Sequence, residues 1–165
     1  MNLTWVTTEL RVRKEVPPAT MADLPRILAE EGMFDATQEV FWVVAYDAMA
    51  NLRVAADVAR GDYYRVGVSI PAVLNIVLLS GANRFYIGHN HPSGRLQPTK
   101  KDLDLTTQIS VGAALVGAYL EDHWVIGPGG KVWSMVDRGQ FTPSPEIVSM
   151  YAANGPIVTH ARRKR

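Results

Sequence analysis

From Val40 to Tyr46 the chain reads Val-Phe-Trp-Val-Val-Ala-Tyr, seven residues without a charge. A run this apolar and this short predicts a central strand buried on both faces. Such a strand needs neighbours in its sheet and layers above and below it, and the rest of the chain offers both. Asp47 to Asn51 reads as a turn. Leu52, Val54, Ala56 and Val58 then alternate with Arg53, Ala55, Asp57 and Ala59, as in the half-exposed arm of a hairpin. Upstream, Leu10, Val12, Lys14 and Val16 alternate with Arg11, Arg13 and Glu15, an edge-strand pattern ended by Pro17-Pro18. Residues 20–31 carry Leu24, Ile27 and Leu28 at helical spacing before Gly32.

Downstream, Ser69 and Pro71 open a helix with Val73, Leu74, Val77 and Leu78 on its apolar face, stopped by Gly81 and Asn83. Arg84 to His89 is a short strand. A second helix starts at Thr99, with Leu105, Ile109, Ala113 and Val116 facing inward. His123 to Gly127 and Lys131 to Met135 flank Pro128-Gly129-Gly130 as a hairpin. Helices interleaved with strands predict an α/β fold, a mixed β-sheet sandwiched by helices.

The chain has 165 residues, enough for one domain with a proper core, and no cysteine. The missing thiols exclude disulfides, a thiolate nucleophile, iron–sulfur clusters and the zinc deaminases that use a Pro-Cys-x-x-Cys pair. Any metal must sit on histidine and carboxylate. The longest apolar runs, Val40 to Ala45 and Val73 to Leu79, fall well short of a membrane span. The first residues lack a secretory pattern, so a cytoplasmic location is expected. Arg162, Arg163, Lys164 and Arg165 carry +4 in a chain of net charge +1, leaving the rest at −3. With Arg11, Arg13 and Lys14 they form basic ends, read as solubilising or as a weak nucleic-acid contact.

His89-Asn90-His91 is the densest chemical signal. Side chains two apart on a strand share a face, so both imidazoles point the same way. Pro92-Ser93-Gly94 turns the chain away, and Pro98-Thr99 starts the helix that carries Asp102. Two imidazoles and one carboxylate form a three-ligand zinc site whose fourth position is left for water, which points to a metal-activated hydrolase. Thr99-x-x-Asp102 also fits a capping box, and a carboxylate at a helix start can serve both purposes. Ser93 lies outside any nucleophile elbow and reads as a loop-shaping residue supporting the site. Asp122 and His123 read either as groups that orient the ligands or as the start of a strand. His160 reads as inert, and Trp5, Trp42, Trp124 and Trp133 as core residues.

Residues from about Gln38 to Gly139 resemble the RadC-like branch of the JAMM (JAB/MPN) metalloprotein family. The likeness rests on His-Asn-His-Pro-Ser-Gly at 89–94, Pro-Thr at 98–99, Asp102, and Asp122-His123 leading into a Gly-rich hairpin. It implies a cytidine-deaminase-like fold and three segments: an N-terminal strand and helix extension (1–37), a metallohydrolase domain (38–139) and a flexible, basic tail (140–165). It also implies that His89, His91 and Asp102 hold Zn2+, with Glu39, rather than Glu30 or Glu31, as the upstream general base. The family's usual Ser is Thr99 here, which keeps a hydroxyl able to hydrogen-bond an oxyanion. No helix-hairpin-helix pattern precedes Gln38. The activity implied is hydrolysis of amide or isopeptide bonds in a peptide or protein substrate, by water that zinc acidifies from about 15.7 towards roughly 7. The alternatives are a DNA-associated, repair-related accessory without peptidase activity, or a metal-stabilised binding module.

Overall fold

The computed structural model describes residues 38–61 and 67–143. In chain order they form β1 (Glu39–Tyr46), β2 (Leu52–Gly61), α1 (Ile70–Leu79), β3 (Arg84–Asn90), α2 (Lys100–Leu115), β4 (Tyr119–Gly127) and β5 (Lys131–Ser134). The strands make one five-stranded mixed sheet in the order β2-β1-β3-β4-β5. β1 runs antiparallel to β2 and β3, β3 is parallel to β4, and β4 is antiparallel to β5. α2 makes the crossover that the parallel pair requires. The expected strand at 10–16, helix at 20–31, Trp5, His160 and both basic ends lie outside the described residues.

β1 is an interior strand, as its composition demands, and Val40 to Tyr46 are all buried. Phe41, Val43 and Ala45 meet Phe85, Ile87 and Leu120 of neighbouring strands and Val73, Ile76, Val77, Ile109 and Ala113 of the two helices. The alternate residues Val44 and Tyr46 pack with Trp124 and Ile126 on the opposite face. Both described helices therefore cover one face. Of the sandwich expected from the sequence, the described residues provide a single helical layer.

Several expectations shift in detail. α1 buries Ile76 where Leu78 was expected, and Leu78 is 45% exposed. Ser69 caps this helix, its side chain accepting from the Ala72 amide. In α2 the inward face holds Thr106, Ile109 and Ala113, while Val116 caps the exposed end. A bulge opposite Phe41 and Trp42 breaks the alternation of β2, so Val58 and Ala59 both pack on the helical side. β4 starts at Tyr119, which places Asp122 and His123 in mid-strand rather than at a strand start. Trp42 and Trp124 are buried as expected. Trp133 is only partly buried, and Arg138 stacks over it at 4.6 Å. Phe141, at the start of the expected tail, packs against the core. Among the described residues no helix is long and apolar enough to cross a membrane.

Candidate metal centre

The centre forms where β3 leaves the sheet and α2 begins, at the carboxyl end of the parallel pair, a usual place for sites in such sheets. His89 lies opposite Phe41, and its ring stacks on that of Phe41 with centroids 6.2 Å apart. His91 is the first residue beyond the strand. Its carbonyl accepts from the Gly94 amide at 2.8 Å, closing a turn in which Gly94 has φ 74, a conformation that suits glycine. The loop then lies down on the sheet. Leu96 sits so close to Gly127 that a Cβ there would fall 2.7 Å from Leu96 Cδ2. Anchored this way, the loop presents the Arg95 carbonyl, which accepts from His91 Nδ1 at 2.7 Å.

Thr99 caps α2 with the reciprocal box expected from the sequence. Asp102 Oδ2 accepts from the Thr99 amide at 2.6 Å and from its hydroxyl at 2.7 Å. The Thr99 proton is thus directed at Asp102. In this geometry Thr99 orients the carboxylate, and an oxyanion contact needs that proton to turn away. Ser93 Oγ accepts from the Arg95 amide at 3.4 Å, the loop-shaping role expected.

His89, His91 and Asp102 converge. The two Nε2 atoms are 3.0 Å apart, His89 Nε2 is 3.5 Å from Asp102 Oδ1, and His91 Nε2 is 3.5 Å from Asp102 Oδ2. One ligand atom from each of the three lies within 4.8 Å of the others. Zinc bound to N and O at roughly 2.0–2.1 Å in a tetrahedron holds its ligand atoms about 3.3 Å apart. The observed separations bracket that edge, so the donor set fits a single tetrahedral cation of the zinc type. Burial pushes the Asp102 carboxyl up, but hydrogen bonding to His89 and His91 outweighs it and holds the group far below the usual carboxylate range. The same contact with Asp102 raises His91.

Around this triangle the supporting residues divide. Asn90, between the two histidines and buried, accepts from the Val40 amide at 2.8 Å and donates to the Gln38 carbonyl at 2.8 Å. Its side chain clamps the backbone on either side of Glu39. Glu39 is half-buried, shares the face of Phe41, and its charge contributes to the raised pKa of His91. His123 is fully buried, with Nε2 2.8 Å from His89 Nδ1 and Nδ1 2.5 Å from the Thr106 hydroxyl. Burial pushes its pKa well down.

Asp122, one residue away, faces the other way. It accepts from the His123 and Val136 amides, Trp124 Nε1 and Ser134 Oγ, and so ties β4 to β5 and the turn beyond. Of the two alternatives for this pair, His123 touches a proposed ligand and Asp122 belongs to the sheet. Asn90 and Thr106 were not singled out from the sequence. Thr106 was detectable, lying one helical turn from Asp102 and three residues before Ile109 on the inward face.

The RadC-like JAB domain family matches residues 19–140. Similar proteins include a UPF0758 protein of Porphyromonas gingivalis, 29% identical over 64% of this chain and 46% of its own length. Another, from Trichodesmium erythraeum, is 31% identical over 72% of this chain and 51% of its own length. A third, from Trichormus variabilis, is 34% identical over 56% of this chain and 38% of its own. The matched part is thus about half or less of each of these relatives. The MPN fold that a JAB domain implies agrees with the mixed α/β architecture and with a His-His-Asp group at the end of β3. The chain belongs to the RadC-like JAB domain family.

Proposed function

We propose that this chain is a zinc-dependent hydrolase of amide or isopeptide bonds, with His89, His91 and Asp102 holding the metal and Glu39 acting as general base. The observation that carries this is the three-ligand triangle, sized for a tetrahedral cation, with Glu39 two residues before Phe41, the strand partner of His89. Three protein ligands leave one position open, the mark of a catalytic rather than a structural zinc site. When bound, the metal supplies a more acidic water and a polarised carbonyl.

The chain's own residues do the rest. Glu39 takes a proton from the attacking water and returns it to the departing amine. Asn90 holds the backbone on both sides of Glu39, which fixes where that carboxylate can reach. Thr99 orients Asp102 through its amide and hydroxyl. The substrate class in this reading is a peptide or protein, and the fold class a cytidine-deaminase-like one. Cleavage of nucleic acid is less well supported, because magnesium-dependent nucleases rely on several carboxylates, often around two metals.

The test uses the full chain, stripped of metal and reloaded with zinc, against a panel of peptides that includes isopeptide-linked lysines. Hydrolysis is expected only with zinc, and should disappear in Glu39→Gln while zinc stays bound. Equal hydrolysis by the stripped protein, or full activity in Glu39→Gln, contradicts the assignment.

A further inference from the structure

Each histidine of the centre presents Nε2 to the metal position, so each must keep the proton of its neutral ring on Nδ1. For His91 the Arg95 carbonyl enforces this, since a carbonyl only accepts. For His89 the partner of Nδ1 is another imidazole, His123 Nε2 at 2.8 Å, and an imidazole can donate or accept. Something further along must decide the direction. The deciding group is Thr106. Its hydroxyl lies 2.6 Å from the backbone carbonyl of Asp102, and two oxygens at that distance need a proton between them. The single Thr106 proton is therefore spent on Asp102, with Met135 Sδ at 3.5 Å a much weaker acceptor.

With that proton committed, Thr106 Oγ1 can only accept from His123 Nδ1, at 2.5 Å. His123 is fully buried, and no carboxylate hydrogen-bonds to it among the described residues, so a second proton on its ring would be an unpaired interior charge. His123 Nε2 is left as an acceptor, and His89 must donate to it.

We infer that Thr106 and His123 are positioning residues of the metal centre: the chain of hydrogen bonds from the Asp102 carbonyl through Thr106 and His123 locks His89 in the form whose bare Nε2 faces the metal. The chain begins on the backbone of one ligand and ends on the ring of another, so the helix carrying Asp102 and the strand carrying His89 are set together. This rests on the metal-centre reading above. Partners of this kind typically contribute 10- to 100-fold in metal affinity.

The experiment measures zinc affinity of the full chain by chelator competition, and the tautomer of His89 by 15N NMR of the metal-free protein at about two pH units above the ordinary histidine value. His123→Leu, which fills the space without an acceptor, should weaken zinc binding roughly 10- to 100-fold. His123→Gln keeps an acceptor for His89 and should bind within a few-fold of the parent. Thr106→Val should weaken binding, and Thr106→Ser should restore it. The NMR spectrum should place the His89 proton on Nδ1 in the parent chain and show both forms in Thr106→Val.

A folded His123→Leu or Thr106→Val variant with parental affinity overturns the inference, as does a parent protein with the His89 proton on Nε2. If His123→Leu does not fold, the Thr106 pair and the NMR spectrum still decide. A parent chain that takes up no zinc overturns the metal-centre reading, and this inference with it. Zinc binding that is indifferent to Thr106 and His123 overturns this inference alone.

Discussion

His89 and His91 offer matching nitrogens from 3.0 Å apart, yet the protein holds them by opposite means. His91 sits at the open side, its ring 12% exposed, and is fixed by one backbone carbonyl from a loop. His89 sits at the closed side, 1% exposed, and is fixed by side chains from β4 and α2. A loop carbonyl depends on the path of the chain and tolerates changes of side chain. A buried side-chain network depends on residue identity, because every member must have its partner. The closed side should therefore be the more sensitive to substitution, and the open side the more tolerant.

The largest expected effect lies outside both anchors. Glu39 is held by Asn90 through its neighbours' backbone and takes no part in fixing either histidine. Glu39→Gln should cost roughly 10²- to 10⁴-fold in turnover, the usual weight of a general base. Zinc content by elemental analysis should stay the same. Loss of zinc together with activity would make Glu39 part of the holding machinery and erase the distinction.

Next is the sheet beneath the closed side. Asp122→Ala removes the acceptor of four hydrogen bonds and strands buried donors, at a cost of about 2–4 kcal/mol by denaturant unfolding. Because Asp122 faces away from the centre, the folded fraction should bind zinc as the parent does. Weaker binding per folded molecule would join the two faces that the structure keeps separate.

The comparison itself is tested by removing each histidine. Both His89→Ala and His91→Ala should abolish tight zinc binding. In the metal-free state His89→Ala also leaves His123 Nε2 buried without its partner, worth about 1–3 kcal/mol of stability. His91→Ala, at the open end, should cost less than half of that. Equal unfolding midpoints would show that the closed side is no more tightly specified than the loop.

The smallest effect is in pH. His91 is raised chiefly by its hydrogen bond to Asp102, so the stability it adds to the metal-free chain is complete below the ordinary histidine value of about 6.5 and fades as pH rises through its raised value. Asp102 is depressed, so its contribution is present above the usual carboxylate value of about 3.9 and fades as pH falls through its lowered value. Above about 6.5 the metal-free protein should thus lose a little stability as pH rises, whereas below that value the depressed His123 makes stability fall towards acid pH. Zinc requires the ligands unprotonated, so its stabilisation should grow over the same range. Melting curves with and without zinc should diverge as pH rises; a constant gap would contradict this.

The donor set was legible from the sequence because its geometry is local. His-x-His at a strand end and an acid three residues past a helix cap are both read from local spacing. The run Val40–Tyr46 announced an interior strand for the same reason. What stayed hidden depended on register across the sheet. His123 and Asp122 are adjacent, and the extra residue in β4 between the Phe85–Leu120 and Tyr86–Asp122 pairs decides which of them shares the face of His89. Asn90 carries no local signal of its role, because its side chain reaches across to β1, a partner 50 residues away in sequence. The alternation of β2 was overruled by a bulge, and the Leu78 position by the way α1 seats on the sheet.

The most direct measurement is a zinc titration of the metal-stripped full chain, followed by competition with a chromogenic chelator. One equivalent should bind tightly in the parent protein, and His89→Ala, His91→Ala and Asp102→Ala should each abolish that binding. A folded parent chain that leaves the zinc with the chelator, or variants that bind it as well as the parent, would contradict the metal centre on which the account stands.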